Sequence, residues 1–404
     1  MPVTPSYDLS PLLSILGLGT LIACVPLFWV GLRQRQSQNQ SMAARRLALT
    51  ALTLFLTLDL IVVGSFTRLT DSGLGCPDWP GCYGHTSPLG AAEPIQAQQE
   101  QMPSGPVTHQ KAWIEMLHRY LATGVGGLIL ATFGLSLYAR LGKSRLRKTV
   151  GAEAPLQPLS AGPGVGWALV TLVWVCLQGA FGAFTVTMKL FPVIVSLHLL
   201  GSYILLALLA AQMVLWSGVV QAENVVRQES IRQGSQVSRW GLLACLALVI
   251  LQASSGAWVS SNYAVLACQD FPTCQGSWWP SMNFAAGFEI WRPLGLRSDG
   301  SMLDFQALTA IHFLHRMLAA MTATGLVALL FHLRGKVTLV QPARWLLALL
   351  CLQLLTGVAN VVLDWPMVAA LLHTAGAAGL VAVLVWMMTS AIQASTPDRK
   401  KEVQ

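Results

Sequence analysis

The chain has 404 residues, of which 54% are hydrophobic and only 10% are charged. Soluble domains usually carry about 25% charged residues, so this composition excludes an ordinary soluble protein and indicates an integral membrane protein. The net charge of +8 would suit nucleic-acid binding, but Lys and Arg form short clusters between long apolar runs. Such clusters are typical of membrane topology signals, and we expect no nucleic-acid partner.

Nine apolar runs are long enough to cross a bilayer, which takes about 20 residues. They predict transmembrane helices at 10–32, 45–67, 112–139, 163–185, 191–217, 239–262, 305–333, 343–363 and 366–392. The first run lacks the basic residues that precede the apolar segment of a signal peptide, so we expect a genuine span there. The predicted fold is an all-α polytopic membrane protein with nine spans.

Lys and Arg also predict the orientation of the chain. They concentrate in every second connection and in the C-terminal tail, and such residues favour the cytoplasmic side of a membrane. We therefore expect the N-terminus outside, the C-terminus in the cytoplasm and two long outer loops, 68–111 and 263–304.

Each long outer loop carries two cysteines with five residues between them. The pairs are Cys76 with Cys82 and Cys268 with Cys274. This spacing, with an intervening Pro, can close a small disulfide loop in an oxidising compartment. A redox-active dithiol or a metal-binding pair is the alternative, but neither loop offers the remaining ligands of a four-coordinate metal.

Aligning the two cysteine loops reveals an internal repeat. Both halves carry a His-Arg step after the loop and a second membrane His two helices later, and in each half a Gln precedes that second His by 20 residues. A Gln-x-x-x-Gly step also recurs in three spans. We predict an extra N-terminal transmembrane helix in 1–40, a first four-helix half in 41–225 and a second four-helix half with a cytoplasmic tail in 226–404. Four spans per half is an even number, so the halves would be parallel repeats.

Four histidines lie about two turns into their predicted helices from the outer side, roughly 9 Å deep. They are His118, His198, His315 and His373. An imidazole is costly in hydrocarbon and normally faces the interior of a helix bundle. Each could be a hydrogen-bonded packing residue, but two pairs at one depth favour axial ligation of haem iron.

Charged residues near these histidines distinguish the two halves. Glu115 lies one turn before the first membrane histidine, whereas His312 occupies the matching position of the second half; an acid at this depth marks a candidate functional site. Arg119 and Arg316 each follow a candidate ligand, where they could pair with haem propionates or anchor the helix at the interface. Asp59 is predicted to be a second buried acid within its helix bundle.

These residues resemble the haem A synthase family. The resemblance rests on the run Thr-Arg-Leu-Thr-Asp-Ser-Gly-Leu-Gly-Cys-Pro-Asp-Trp-Pro at 67–80, on the step Glu115-x-x-His118-Arg119 and on the other three membrane histidines. It extends over about 45–393. Family members commonly have eight spans, so the predicted helix at 10–32 is a departure.

The resemblance implies an enzyme that oxidises the ring D methyl group of haem O to a formyl group. Successive hydroxylations would lead through a gem-diol that loses water. By the same resemblance, His118 and His198 would bracket the substrate haem O, Glu115 would be the catalytic carboxylate, and His315 with His373 would bind a resident haem b.

Surroundings and partners also follow from the resemblance. It implies a protein of the bacterial inner (cytoplasmic) membrane that is embedded in lipid. The implied partners are haem O synthase and assembly factors of a terminal oxidase. The resemblance is also compatible with a homo-oligomer. The pair Cys76 and Cys82 would accept or pass electrons.

Two functions without chemistry at the porphyrin remain as alternatives. A dihaem protein could carry electrons from quinol, which would require two equivalent haems; the difference between Glu115 and His312 argues against that equivalence. A haem transport or delivery protein, for which parallel repeats are also common, would release the haem that it received unchanged.

Overall fold

The computed structural model describes residues 17, 21–32, 41–150, 162–224, 238–336 and 339–394. Within these ranges the regular structure is helical. The helices are α1 (Leu21–Leu32), α2 (Met42–Leu69), α3 (Ala92–Gln101), α4 (His109–Val150), α5 (Val165–Thr187), α6 (Pro192–Asn224), α7 (Arg239–Ser261), α8 (Phe284–Gly287), α9 (Phe305–His332), α10 (Val340–Val362) and α11 (Met367–Ala394).

Eight of these helices are long and apolar enough to cross a membrane: α2, α4, α5, α6, α7, α9, α10 and α11. They confirm eight predicted spans, because their bounds follow the apolar runs closely. The ninth predicted span, 10–32, falls partly outside the described residues. Apart from residue 17, its described part is α1, a shorter apolar helix.

The long helices pack as two groups that share a core. In the first group α2 contacts α4 and α6, and α5 contacts α4 and α6; in the second, α9 and α11 each contact α7 and α10. Helices α2 and α6 contact α11, and α6 also contacts α7. Buried residues from both groups, such as Tyr203 and Leu384, therefore lie in one cluster.

The predicted boundaries of the halves, at 40/41 and 225/226, include residues outside the described ranges. These boundaries stay predictions, as do the parallel relation of the halves and the orientation of the chain in the membrane.

A polar contact joins the two groups at the ends of α2 and α7. Arg68 pairs with Asp71 (3.2 Å) and lies 3.9 Å over the ring of Tyr263. The Tyr263 hydroxyl donates to Asp71 at 2.5 Å, and Arg68 donates to the backbone carbonyl of Ser260. Each segment precedes the first cysteine of its loop, so this contact fixes the origins of both loops relative to one another.

Both cysteine pairs form disulfides, Cys76–Cys82 and Cys268–Cys274. The disulfide interpretation is therefore confirmed over the metal-binding one; among the described residues no group of three or more His, Cys, Asp and Glu could hold a metal ion. The four cysteines are at most 1% exposed.

An aspartate organises each disulfide loop. Asp78 accepts the backbone N–H groups of Tyr83 (2.6 Å) and Gly84 (2.8 Å). Asp270 accepts those of Gln275 and Gly276 at 2.6 and 2.9 Å. Hydrogen bonds from the Thr273 hydroxyl and from backbone N–H groups hold the pKa of the Asp270 carboxyl below its usual value. The matched pattern shows that the two loops fold in the same way.

The insertion at 85–110, for which the sequence offers no role, packs over the first disulfide. Its helix α3 inserts Ile95, which is fully buried, into a cluster with Cys76, Cys82 and Met116. The insertion therefore shields this disulfide from solvent.

The expectation of a buried acid at Asp59 is wrong. Its side chain lies on an exposed face of α2, while Thr53 and Thr57 occupy the buried face. Asp59 lies in a mostly apolar stretch of sequence, so hydropathy alone could not show which face of the helix packs inward.

The disulfides predict a definite pattern of thiol labelling. Four of the eight cysteines, namely Cys24, Cys176, Cys245 and Cys351, are free. In denaturant without reductant, a maleimide mass tag should therefore add four labels, and prior reduction should raise the number to eight. Protein purified from oxidising conditions that carries eight labels before reduction would contradict the two disulfides.

Candidate functional site

The four membrane histidines lie on α4, α6, α9 and α11, and their depths match between the groups. His198 and His373 each lie six residues after the first residue of their helix, or about 9 Å along the axis. His118 and His315 lie nine and ten residues in, or roughly 14 and 15 Å. The distance from the helix start to the histidine is therefore about 9 Å along α6 and α11 and longer along α4 and α9. The depth of the histidines in the membrane stays a prediction.

His315 and His373 face each other. Their ring centroids are 6.4 Å apart and the rings are inclined at 74°. Two imidazoles that bind one metal ion from opposite sides, each through a bond of about 2 Å, have centroids roughly 6 Å apart. This pair therefore fits axial ligation of a haem iron.

His118 on α4 and His198 on α6 are the corresponding residues of the first group. The Nδ1 atoms of both are buried and have no hydrogen-bond partner. All four membrane imidazoles keep part of their surface accessible, whereas the neighbouring Glu115 and His312 are each only 4% exposed.

Each of the four imidazoles lies against a glycine of a neighbouring helix. A Cβ atom added at any of these glycines would lie within 3.4 Å of the histidine Cε1 atom. The pairs and distances are Gly64 with His118 (2.8 Å), Gly182 with His198 (3.4 Å), Gly256 with His315 (3.1 Å) and Gly357 with His373 (3.4 Å). Three of these glycines end the Gln-x-x-x-Gly steps, and the fourth has the same register. The step recognised in the sequence therefore marks the place where an imidazole packs against a helix backbone.

Hydroxyl groups fix the two imidazoles of the second pair. Ser255 Oγ is 2.8 Å from His315 Nδ1, and Thr356 Oγ1 is 2.9 Å from His373 Nδ1. The Gln252 amide lies 3.1 Å from His315 Nδ1. Sequence reasoning missed both hydroxyls, although each directly precedes the glycine of its step.

Glu115 joins the first histidine pair to the disulfide loop. Its Oε1 atom pairs with Arg119 Nη2 at 2.6 Å, and its Oε2 atom accepts the backbone N–H of Cys76 at 2.8 Å. The carboxylate is thus buried with an arginine and a backbone donor, which can hold a negative charge in place.

His312 makes the equivalent contact in the second group. Its Nδ1 atom accepts the backbone N–H of Cys268 at 3.3 Å. The structure therefore places Glu115 and His312 at the same point relative to their loops, as the repeat predicted. Only the first site has a carboxylate there.

Both arginines beside the candidate ligands bind loop carbonyls. Arg119 donates to the carbonyl groups of Asp78 (3.0 Å) and Gly81 (2.5 Å). Arg316 donates to those of Asp270 (2.9 Å), Thr273 (2.8 Å) and Cys268 (2.8 Å). The arginines hold the loops against α4 and α9, and their pairing with haem propionates stays a prediction.

The chain is similar to known proteins along most of its length. Residues 47–385 match the COX15-CtaA family model, described as cytochrome oxidase assembly protein. The Heme A synthase of Shewanella oneidensis is 36% identical over 337 residues, which cover 83% of this chain and 94% of that protein. The Heme A synthase of Hyphomonas neptunium is 27% identical over 360 residues, 85% of this chain and 91% of its own.

A third relative, the Heme A synthase of Cereibacter sphaeroides, is 28% identical over 373 residues and covers 87% of this chain and 88% of its own length. Residues 47–385, which match the family model, include the four membrane histidines, Glu115 and both disulfides. Together with the paired histidine sites and the extent of these matches, this shows that the chain belongs to the COX15-CtaA family of cytochrome oxidase assembly proteins.

Proposed function

We propose that this chain is a haem A synthase, an oxidoreductase that converts haem O into haem A for terminal oxidase assembly. The reaction oxidises the ring D methyl group of haem O to a formyl group by successive hydroxylations. Relatives that carry this name support the proposal. The observation that carries it is the buried Glu115 carboxylate beside only one of two otherwise matching histidine pairs.

The first half, 41–225, is the proposed substrate site, with haem O between His118 and His198. Conversion of the methyl group to a formyl group removes C–H bonds from the methyl carbon, and their protons must leave the site. A carboxylate one helical turn from His118 can accept such a proton. Arg119 and the Cys76 N–H orient it from the other side.

The second half, 226–404, is the proposed site of the resident haem b. His315 and His373 would hold it, since their rings already face each other at 6.4 Å, and when bound it would supply one-electron transfer. The hydroxyls of Ser255 and Thr356 orient the two imidazoles. His312 offers no carboxylate, so this half lacks the group assigned to the chemistry.

The proposed setting is a bacterial inner membrane with the disulfide loops and the N-terminus outside. Haem O synthase as the source of the substrate and oxidase assembly factors as recipients are the proposed partners. The Cys76–Cys82 disulfide, whose backbone contacts Glu115, is proposed to accept or pass electrons.

Deletion of this protein should leave haem O accumulating and haem A absent, because no other step would oxidise the methyl group. Haems extracted from cells with and without the protein, and identified by mass, test this directly. Unchanged haem A in a deletion strain that has no second copy of the gene would exclude the proposed function.

Replacement of Glu115 by Gln should lower conversion at least 100-fold, because the amide keeps the contact with the Cys76 N–H but removes the negative charge. The b-type haem should remain bound. His312→Gln is the matched control, since it changes the equivalent loop contact in the other half, and it should retain measurable conversion. Equal losses in the two variants would mean that both residues serve the loops alone.

A further inference from the structure

The two histidine pairs differ in what their Nδ1 atoms contact. In the second pair, His315 and His373 each have a hydroxyl oxygen within 2.9 Å of Nδ1. In the first pair, the Nδ1 atoms of His118 and His198 are buried without a partner. The two pairs thus have matching positions in the repeat but differ in the hydrogen bonding of the imidazole Nδ1 atoms.

The difference arises at one position of the repeat, directly before the glycine that each imidazole contacts. The second half has Ser255 and Thr356 at this position, and the first half has Val63 and Phe181. A hydroxyl can hydrogen-bond an imidazole nitrogen, whereas a valine or phenylalanine side chain cannot.

The surrounding backbone does not account for this difference. The glycines that contact the imidazoles are present in both halves. His315 has a second contact on Nδ1, the Gln252 amide at 3.1 Å, and the first half has Leu60 in that register. The hydroxyl is the feature that both imidazoles of the second pair share.

A partner on Nδ1 matters to a metal-binding imidazole. Nearly all metal-binding histidines donate their second ring N–H to such a partner, which sets the tautomer and the ring orientation, and removal of the partner typically lowers metal affinity 10- to 100-fold. A resident cofactor needs such an arrangement. A substrate site must release its product, so firm fixation there would slow turnover.

We propose that Ser255 and Thr356 are positioning residues that make haem binding in the second half permanent, and that Val63 and Phe181 keep haem binding in the first half exchangeable. This inference rests on the proposed function, because it assigns the resident and the exchanging haem to particular halves. It adds the residues that set the two residence times.

Removal of the hydroxyls should release the resident haem. The variants Ser255→Val and Thr356→Val, the second nearly isosteric, should lose b-type haem 10 to 100 times faster than the parent when the purified protein is mixed with excess apomyoglobin as haem acceptor. Ser254→Ala is the matched control, since Ser254 donates to the Ile250 carbonyl of its own helix, and it should lose haem at the parental rate. Unchanged loss rates in both hydroxyl variants would overturn the inference.

The reciprocal change, which adds a hydroxyl to the first half, distinguishes a loss of the hydrogen bond from misfolding of a variant. Val63→Thr adds a hydroxyl, at nearly constant volume, at the repeat position that Ser255 occupies in the second half. It should therefore slow the loss of haem from the first half and increase the haem retained per polypeptide. The absence of this gain in a protein with intact disulfides would contradict the inference.

Failure of the inference can be told apart from failure of the proposed function. Loss of haem to apomyoglobin is measured without turnover, whereas conversion of haem O to haem A is scored in the parent protein. A parent that makes haem A while its hydroxyl variants keep haem normally would refute only the inference. A parent that makes no haem A would refute the proposed function.

Discussion

The close packing of four imidazoles against four glycines is the constraint on which the rest of the structure depends. An imidazole in the apolar interior of a membrane protein needs a defined position, and a Cβ atom at Gly64 would lie only 2.8 Å from His118. The glycines set the distance between the paired helices at the depth of the histidines. This spacing places His315 and His373 face to face, so the ligand geometry follows from helix packing.

A second set of contacts converts this common scaffold into two different sites. In each half, the first cysteine of the disulfide loop donates its backbone N–H to the residue three positions before a membrane histidine. That residue is a carboxylate in one half and an imidazole in the other. Because arginines bind both loops in the same way, exchanging one side chain changes the charge of the site while the fold around it stays the same.

Much of this arrangement was predictable from the sequence, because it depends on local pattern. The apolar runs predicted the eight spans. The alignment of the two loops predicted both disulfides and the equivalent positions of Glu115 and His312. The hydroxyls of Ser255 and Thr356 were missed, since helical hydroxyls usually bond to their own backbone, as Thr53 and Thr57 do. Whether a hydroxyl reaches another helix depends on tertiary packing, as does the exposed position of Asp59.

We propose that one pair of histidines receives the substrate and the other keeps a cofactor. A structure of the protein supplied with haem O, with turnover blocked by Glu115→Gln, tests it most directly, because the substituents of the two haems distinguish them in the density. We expect haem O between His118 and His198 and haem b between His315 and His373. The same haem in both sites, or the two haems exchanged, would contradict it.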